Sequence, residues 1–195
     1  MSNVQQTLRF FGRFVTNPAG VGAVAPSSDQ LARAITAWPR LDRADVVVEF
    51  GPGTGAFTQR ILDRLGDGAT FFAIERDAGM VEAFRRRYPD VEIHCDSVAN
   101  IATHLRRHGH AAVDCIVSGL PWAAFSGRLQ DELLNAAVAA MPDGGRFVTF
   151  AYLQGTLLPA GRRFRRRLDA HFSEVHRSSV VWRNLPPAFV YQCTK

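Results

Sequence analysis

The chain has 195 residues, a formal net charge of +5 and a hydrophobic fraction of 47%. This length fits one domain with a buried core, and no apolar run approaches the roughly 20 residues that a membrane-spanning helix needs. The positive charge favours an anionic partner, either nucleic acid or a membrane surface with acidic lipids. Three cysteines, Cys95, Cys115 and Cys193, fall in apolar strand-like runs, which predicts reduced core thiols of a cytosolic protein and no disulfide framework.

Residues 3–15 have the pattern of an amphipathic helix. Apolar residues recur at helical spacing, and two arginines, Arg9 and Arg13, lie on the opposite side. Such a basic, aromatic-rich pattern is typical of a helix that lies in a membrane interface, and a helix that packs on its own domain is the alternative. The apolar face comprises Val4, Leu8, Phe10, Phe11, Phe14 and Val15.

A loop of small residues follows, from Asn17 to Ser28. Ser27 or Ser28 could cap the predicted helix Asp29 to Thr36, because a serine hydroxyl accepts from the free amides at a helix N-terminus. A loop so poor in side chains either passes close to a ligand or moves, which suits a lid over a cofactor; a plain connection is the alternative. We therefore expect residues 1–28 to form the helix and lid, and residues 29–195 to form the main domain.

The strongest local pattern is an apolar strand that ends in an acid and turns through three glycines, from Val46 to Gly55. Glycines at alternate positions let the backbone approach a ligand closely. The spacing is G-x-G-x-G and not the G-x-G-x-x-G of dinucleotide-binding folds. Glu49 would repel a phosphate there but suits a ligand with an ammonium or sulfonium group. Glu75 ends the next apolar run, about twenty residues past the glycines, where an α/β fold places its ribose-hydroxyl acceptor.

Strands and helices alternate through the rest of the chain, which predicts a parallel, doubly wound sheet. The last two strand runs, Ser178 to Trp182 and Ala188 to Cys193, are joined by a short connection, so we expect an antiparallel pair at the sheet edge. The other predicted strands end at Phe50, Ile74, Cys95, Val117 and Leu153. The other predicted helices are Phe57 to Leu65, Gly79 to Arg87, Ile101 to His108 and Asp131 to Met141.

Two histidines share a face of the predicted helix Ile101 to His108. His104 and His108 are four residues apart, but no further ligand for a metal is evident in the sequence. We therefore expect both side chains to be exposed and predict no metal site.

The pattern E-x-G-x-G-x-G, with later acids at Glu75 and Asp96, resembles the class I methyltransferases that bind S-adenosylmethionine and release S-adenosylhomocysteine. The resemblance implies an α/β, Rossmann-like fold: a mostly parallel seven-stranded sheet with an antiparallel last strand and helices on both faces. It also implies that Asp96 accepts from the adenine amino group and that the neighbouring backbone fixes the ring edge. The implied cofactor-binding residues are Glu49, Gly51, Pro52, Gly53, Gly55, Glu75, Arg76, Asp96, Ser97, Ser118, Gly119 and Leu120, with Pro26, Ser27 and Ser28 from the lid loop.

The fourth strand ends in Ser118-Gly119-Leu120-Pro121-Trp122. This stretch resembles the N/D-P-P-Y/F motif of amino-group methyltransferases and its N-L-P-Y version in adenine N6-dimethyltransferases. In those families a polar side chain and a backbone carbonyl hold the target amine, and an aromatic ring stacks on the acceptor. Ser118 is shorter and a weaker acceptor than Asn or Asp, which argues against adenine as substrate. The ring face of Trp122 would attract an alkylammonium group, and a buried core tryptophan is the alternative.

Several segments together resemble bacterial phospholipid N-methyltransferases, which methylate phosphatidylethanolamine stepwise to phosphatidylcholine. The resemblance covers nearly the whole chain. It implies a monomeric, cytoplasmic enzyme at the inner face of the cytoplasmic membrane, in contact with anionic lipid and not with nucleic acid. The segments are Asn17-Pro18, Gly22 to Ser28, the Glu49 loop, Ser118 to Pro121 and Trp182 to Ala188.

This resemblance sets the expected substrate contacts. Arg183, beside Asn184, is the first candidate for the lipid phosphate, and Tyr152 could orient the amine through its hydroxyl. The expected catalytic set is Ser118, Trp122, Tyr152, Arg183 and Asn184. The basic run from Arg162 to Arg167 is either a second membrane contact or a solvated helix face.

Two other functions remain open from the sequence. An rRNA adenine N6-dimethyltransferase would fit the charge and the fourth-strand motif, but that family adds a helical RNA-binding domain after the sheet, and this sequence ends at Lys195. A non-catalytic protein that binds or bends bilayers through residues 3–15 is the third possibility. The glycine loop with its acids argues against it.

Overall fold

The computed structural model describes residues 28–195, and the predictions for residues 1–27, namely the amphipathic helix and most of the lid loop, lie outside that range. The strands are β1 (Val46–Phe50), β2 (Thr70–Glu75), β3 (Glu92–Cys95), β4 (Cys115–Ser118), β5 (Arg146–Tyr152), β6 (Glu174–Arg177) and β7 (Ala188–Thr194). The helices are α1 (Asp29–Ala37), α2 (Thr58–Leu62), α3 (Ala78–Arg87), α4 (Ile101–Arg107), α5 (Gly127–Ala140) and α6 (Pro159–His171).

The seven strands form one mixed sheet in the order β3-β2-β1-β4-β5-β7-β6. Strands β1 to β5 pair in parallel, and β7 runs antiparallel to both β5 and β6. All five residues of β1, at the centre of the sheet, are buried, as expected for a parallel strand covered on both faces. The predicted Rossmann-like fold with an antiparallel last strand is confirmed.

Helices cover both faces of the sheet. Because side chains alternate along a strand, Val48 of β1 belongs to one core and its neighbour Val47 to the other. The first core contains side chains of α4, α5 and α6, and the second contains side chains of α1 and α2. A smaller third cluster packs α3 against β2 and β3.

Helix α1 begins where the sequence predicts. The Ser28 hydroxyl accepts from the Leu31 amide at 3.2 Å, so Ser28 is the cap. Helix α5 begins four residues before the predicted Asp131, because the Ser126 hydroxyl caps it by accepting from the Leu129 amide. Helix α2 is shorter than predicted and ends at Leu62.

The expected edge hairpin is wrong in two respects. The strand that pairs with β7 is Glu174–Arg177 and not Ser178 to Trp182, and β7 itself lies inside the sheet. The regular pairing between β6 and β7 ends at Ser178. There the Val190 amide of β7 donates to the Ser178 hydroxyl at 2.9 Å, where a continued strand would offer a backbone carbonyl. A single bridge between Val181 and Ala188 is all that remains of the predicted pairing within the described residues.

The cysteines are free thiols, but one of them is not in the core. Cys115 and Cys193 are buried, whereas Cys95 is exposed because β3 is an edge strand. Among residues 28–195, no helix is both long enough and apolar enough to cross a membrane.

Candidate active site

The glycine loop follows β1 and takes a backbone conformation that only glycine adopts easily. Gly51 and Gly53 have φ of +62° and +56°. A Cβ at Gly51 would lie 2.6 Å from the Leu120 side chain, so the loop packs directly against the segment after β4. A Cβ at Gly53 would meet open space, which leaves this part of the loop accessible to a ligand.

Glu75, at the carboxyl end of β2, is held by backbone amides. Its Oε1 accepts from Arg76 and Asp77 at 2.8 and 3.0 Å, and its Oε2 accepts from Gly53 at 3.3 Å. Burial raises the pKa of this carboxyl group. A carboxylate has about four lone-pair sites, so Glu75 keeps capacity to accept from a ribose hydroxyl.

Asp96 follows β3 and is also fixed in place. Its Oδ1 accepts from the Ser97 amide and the Asn100 side chain, and its Oδ2 lies 2.9 Å from Nε2 of His104. Burial alone would raise the pKa of Asp96, but these hydrogen bonds together lower it. The expectation that His104 is exposed is wrong, because its ring is buried between β3 and α4 and bonds to Asp96.

These groups line one cleft at the carboxyl ends of the parallel strands, where ligands bind in open α/β sheets. It brings together predicted residues from four strand ends and adds an apolar wall that sequence reasoning missed. Phe125, Leu129 and Leu133 form that wall. They recur at every fourth position in the sequence, and this helical spacing could have indicated the wall. The cleft is lined by Gly51, Ile74, Glu75, Arg76, Asp96, Ser97, Val98, Leu120, Phe125, Leu129 and Leu133.

Glu49 lies in the core at the end of β1. Its side chain is fully buried, its Oε2 accepts from the Thr58 hydroxyl at 2.7 Å, and its Oε1 has no partner within the described residues. Burial raises the pKa of this carboxyl to about 8. A direct contact between Glu49 and the cofactor stays a prediction, as do the contacts assigned to Pro52, Gly55 and Gly119.

A second cavity, of about 300 Å³, adjoins the cleft at Leu120, which lines both. It lies at the carboxyl ends of β4 and β5 and is bordered by α6. Trp122 and Tyr152, which the sequence predicts at the substrate, both line it. The remaining lining is Pro121, Ala123, Ala124, Phe150, Ala151, Gly155, Thr156, Gly161, Phe164 and Tyr191.

Within the protein, Ser118 and Trp122 bond to each other, and their expected substrate roles stay predictions. Trp122 is buried, its ring stacks on Phe164 at 5.3 Å between centroids, and its indole N–H donates to the Ser118 hydroxyl at 3.0 Å. The Ser118 carbonyl accepts from the Thr149 hydroxyl at 3.1 Å. The indole N–H of Trp122 and the hydroxyl and carbonyl of Ser118 are therefore all engaged inside the protein, while Trp122 also lines the cavity.

Arg183 and Asn184 are also placed differently from the expectation. Among the described residues, Arg183 lines a separate groove beside α1 and not the cavity. Asn184 is buried, its Oδ1 accepts from the Ser28 amide at 2.9 Å and its Nδ2 donates to the Pro186 carbonyl at 2.8 Å. Asn184 therefore fastens the start of α1 to the loop before β7. Pro26 and Ser27 lie outside the described residues.

The fold and the cleft define a class I S-adenosylmethionine-dependent methyltransferase. An O-methyltransferase from Bacillus cereus, solved in complex with S-adenosylhomocysteine, superposes with a TM-score of 0.70 at 13% identity over 98% of this chain and 90% of that one. Each part of the cleft fits a part of the cofactor. The glycine loop allows a close backbone contact, Glu75 can accept from the ribose hydroxyls, and Asp96 can accept from the adenine amino group. The apolar wall suits the adenine ring. When bound, S-adenosylmethionine supplies an electrophilic methyl group on a sulfonium.

Residues 47–145 match the family model of the methyltransferase domain, and the chain belongs to that family. The ornithine lipid N-methyltransferase of Singulisphaera acidiphila is 32% identical over 190 residues, which cover 94% of this chain and 93% of that protein. The ribosomal RNA small subunit methyltransferase A of Cupriavidus metallidurans is 42% identical over 80 residues, 40% of this chain and 27% of that protein. Membership in this family argues against a purely non-catalytic role.

Proposed function

We propose that this methyltransferase transfers methyl groups to the amine of a membrane lipid headgroup. The observation that carries the proposal is the uncharged, largely apolar cavity that meets the cofactor cleft at Leu120. A methyl acceptor in this cavity would lie next to the cofactor, away from water, in a position that suits in-line transfer. The near full-length similarity to an ornithine lipid N-methyltransferase supports the same class of substrate.

The reacting amine has to be neutral, because an ammonium group has no lone pair to attack the methyl. Among the described residues, no carboxylate lines the cavity, so the lining favours the neutral form of the amine. Burial raises the pKa of Tyr152, so this phenol stays protonated near neutral pH and is a poor base. We therefore assign Tyr152 to orienting the neutral amine, and the ammonium group loses its proton to bulk water before it enters the cavity, so the rate should rise above neutral pH.

Phosphatidylethanolamine, converted through its mono- and dimethyl forms toward phosphatidylcholine, is the substrate that the resemblance in sequence implies. Ornithine lipid carries the same essential chemistry, an amine next to acyl chains. Because Arg183 lies in a separate groove, a phosphate would have to meet other cations at the cavity. The exposed arginines of α6, Arg162, Arg163 and Arg166, are the candidates, since Gly161 and Phe164 of the same helix line the cavity.

Peripheral contact with an anionic membrane belongs to the proposal. Leu157 and Leu158 are 72% and 58% exposed and lie between the cavity lining and the basic start of α6. Apolar side chains beside basic ones suit an interface with acidic lipids. The helix at residues 3–15, the monomeric state and the cytoplasmic location stay predictions.

The test is incubation of the full chain with labelled S-adenosylmethionine and vesicles that contain either phosphatidylethanolamine or ornithine lipid. Separation of the lipids should show label in one of them. Ala124→Phe fills the cavity from an exposed lining position, and Ala170→Phe adds the same ring at an exposed position on α6 outside the lining. The first variant should lose lipid methylation and keep S-adenosylhomocysteine binding, and the second should resemble the wild type.

The second candidate is methylation of ribosomal RNA, favoured by the 80-residue match to the Cupriavidus enzyme. The same assay with ribosomal RNA in place of vesicles separates the two functions. Label in RNA and in neither lipid would overturn the lipid proposal, and so would equal lipid methylation by both alanine-to-phenylalanine variants.

A further inference from the structure

Two histidines and a glutamate converge on the face of the sheet covered by α4, outside the cofactor cleft. Glu92 and His94 are two residues apart on β3, so their side chains leave the same face of the strand. His108 is the C-cap of α4, which packs over that face. The Nε2 atoms of the two histidines are 3.1 Å apart, and Oε1 of Glu92 lies 3.5 Å from one and 3.6 Å from the other.

These distances match the ligand spacing of a tetrahedral zinc ion. Zinc bonds of about 2.0–2.1 Å to nitrogen or carboxylate oxygen place two ligand atoms of a tetrahedron about 3.3–3.4 Å apart. The three separations, 3.1, 3.5 and 3.6 Å, fall on both sides of that value. A point about 2.0–2.1 Å from all three atoms therefore exists a little above the plane of the triangle that they form, as in a tetrahedral site with a fourth ligand on that side.

Aromatic packing holds both rings in place. The His108 ring stacks on Phe72, with centroids 4.4 Å apart and 5° between planes, and the His94 ring stacks on His104 at 4.1 Å. Fixed rings reduce the entropy that is lost when a ligand binds.

A hydrogen bond between the two histidines does not account for the whole arrangement. Such a bond uses one Nε2 as donor and the other as acceptor, and it leaves the Glu92 carboxylate at 3.5 and 3.6 Å from the nitrogens. These separations exceed the usual range for a hydrogen bond between nitrogen and oxygen. A cation in the triangle satisfies all three atoms at once.

We propose that Glu92, His94 and His108 bind a divalent transition-metal ion, with zinc the best match to two imidazoles and one carboxylate. The fourth position is left for water, since Glu92 is exposed. The ion joins the edge strand β3 to the end of α4. Because His94 stacks on His104, which bonds to Asp96, the metal also rigidifies the strand end that borders the cofactor cleft.

The test uses full-length protein without a histidine tag, stripped of metal by a chelator and titrated with zinc chloride in a calorimeter. We expect one zinc per chain and a higher unfolding temperature, because a ligand that binds only the folded state stabilises it. Cobalt(II) should give the visible absorption of a tetrahedral site. Glu92→Ala and His108→Phe, which keeps a ring on Phe72, should each weaken zinc binding by more than about tenfold.

The matched control is His176→Ala, which removes an exposed histidine that lies 3.6 Å from Glu174, a pair without a third ligand atom among residues 28–195. This variant should bind zinc as the wild type does. The proposal is overturned if the wild type binds zinc no more tightly than Glu92→Ala does, or if His176→Ala weakens binding as much. If His108→Phe does not fold, the surface variant Glu92→Ala decides the question alone.

Discussion

Replacing Glu49 with glutamine should remove a pH-dependent loss of stability from the ligand-free protein. The Glu49 carboxyl is fully buried, accepts one hydrogen bond from Thr58, and has a second oxygen without a partner among the described residues. Burial raises its pKa from 4.5 to about 8. Glutamine has nearly the shape of the protonated carboxyl and does not ionise, so the variant isolates the effect of the charge.

The sign follows from proton binding in the two states. Between pH 4.5 and about 8 the unfolded chain has lost the Glu49 proton and the folded chain keeps it, so the free energy of unfolding falls as pH rises. Each pKa unit corresponds to about 1.4 kcal/mol. The loss is therefore about 3 kcal/mol at pH 7 and about 5 kcal/mol above pH 8. Below pH 4.5 this carboxyl imposes no loss.

Denaturant unfolding at pH 5, 6, 7 and 8 measures this effect. The stability of Glu49→Gln relative to wild type should rise by about 1.4 kcal/mol per pH unit between pH 5 and 8. Other titrating groups are common to both proteins and cancel in the difference. Glu132→Gln, the same change at an exposed position on α5, should show no such trend. A difference between Glu49→Gln and wild type that stays constant over this pH range would refute the reasoning.

Three further substitutions test the cleft and its support. Glu75→Ala should weaken S-adenosylhomocysteine binding by about 1–3 kcal/mol, because a ribose hydroxyl loses the carboxylate acceptor that three backbone amides hold in place; calorimetry that shows unchanged affinity would contradict the assignment. Gly119→Ala places a Cβ 2.6 Å from the Gly51 carbonyl oxygen, so it should displace the glycine loop and reduce the same affinity by at least about tenfold while circular dichroism stays native. Asn184→Ala leaves the Ser28 amide without its acceptor and should lower stability by about 1–3 kcal/mol; an unchanged melting temperature would show that this bond contributes nothing.

The parallel part of the fold could be predicted because its signals are local. A fully buried strand such as Val46–Phe50 is an uninterrupted apolar run, and the glycines after it mark the turn. The last hairpin could not be predicted in the same way. Glu174–Arg177 contains one apolar residue, whereas Ser178 to Trp182 has more, yet the first segment pairs. The choice depends on where α6 ends and on the bond between Ser178 and Val190, which are tertiary features.

The histidines show a different limit of sequence reasoning. His104 and His108 are four residues apart on one face of the predicted helix, and the sequence predicts that both are exposed, whereas His104 is buried and His108 is partly buried. In the fold both contact His94 but their other partners differ, because His104 bonds to Asp96 while His108 stacks on Phe72. Each contact joins residues on different elements, so no spacing within the helix could indicate it.

The fourth-strand motif explains why the cleft was easier to predict than the second cavity. A buried tryptophan needs an acceptor for its indole N–H, and Ser118, four residues before Trp122, supplies it. The Ser118 hydroxyl also lies 3.4 Å from the Leu120 amide, so it helps to fix the turn that presents Leu120 to both cleft and cavity. In this chain the motif's end side chains hold the turn together, and the cavity that we propose for the methyl acceptor is lined by residues distant in sequence such as Tyr152. A cofactor loop can be recognised from contiguous residues in the sequence. A cavity formed by packing between β4, β5 and α6 can be recognised only once the fold is known.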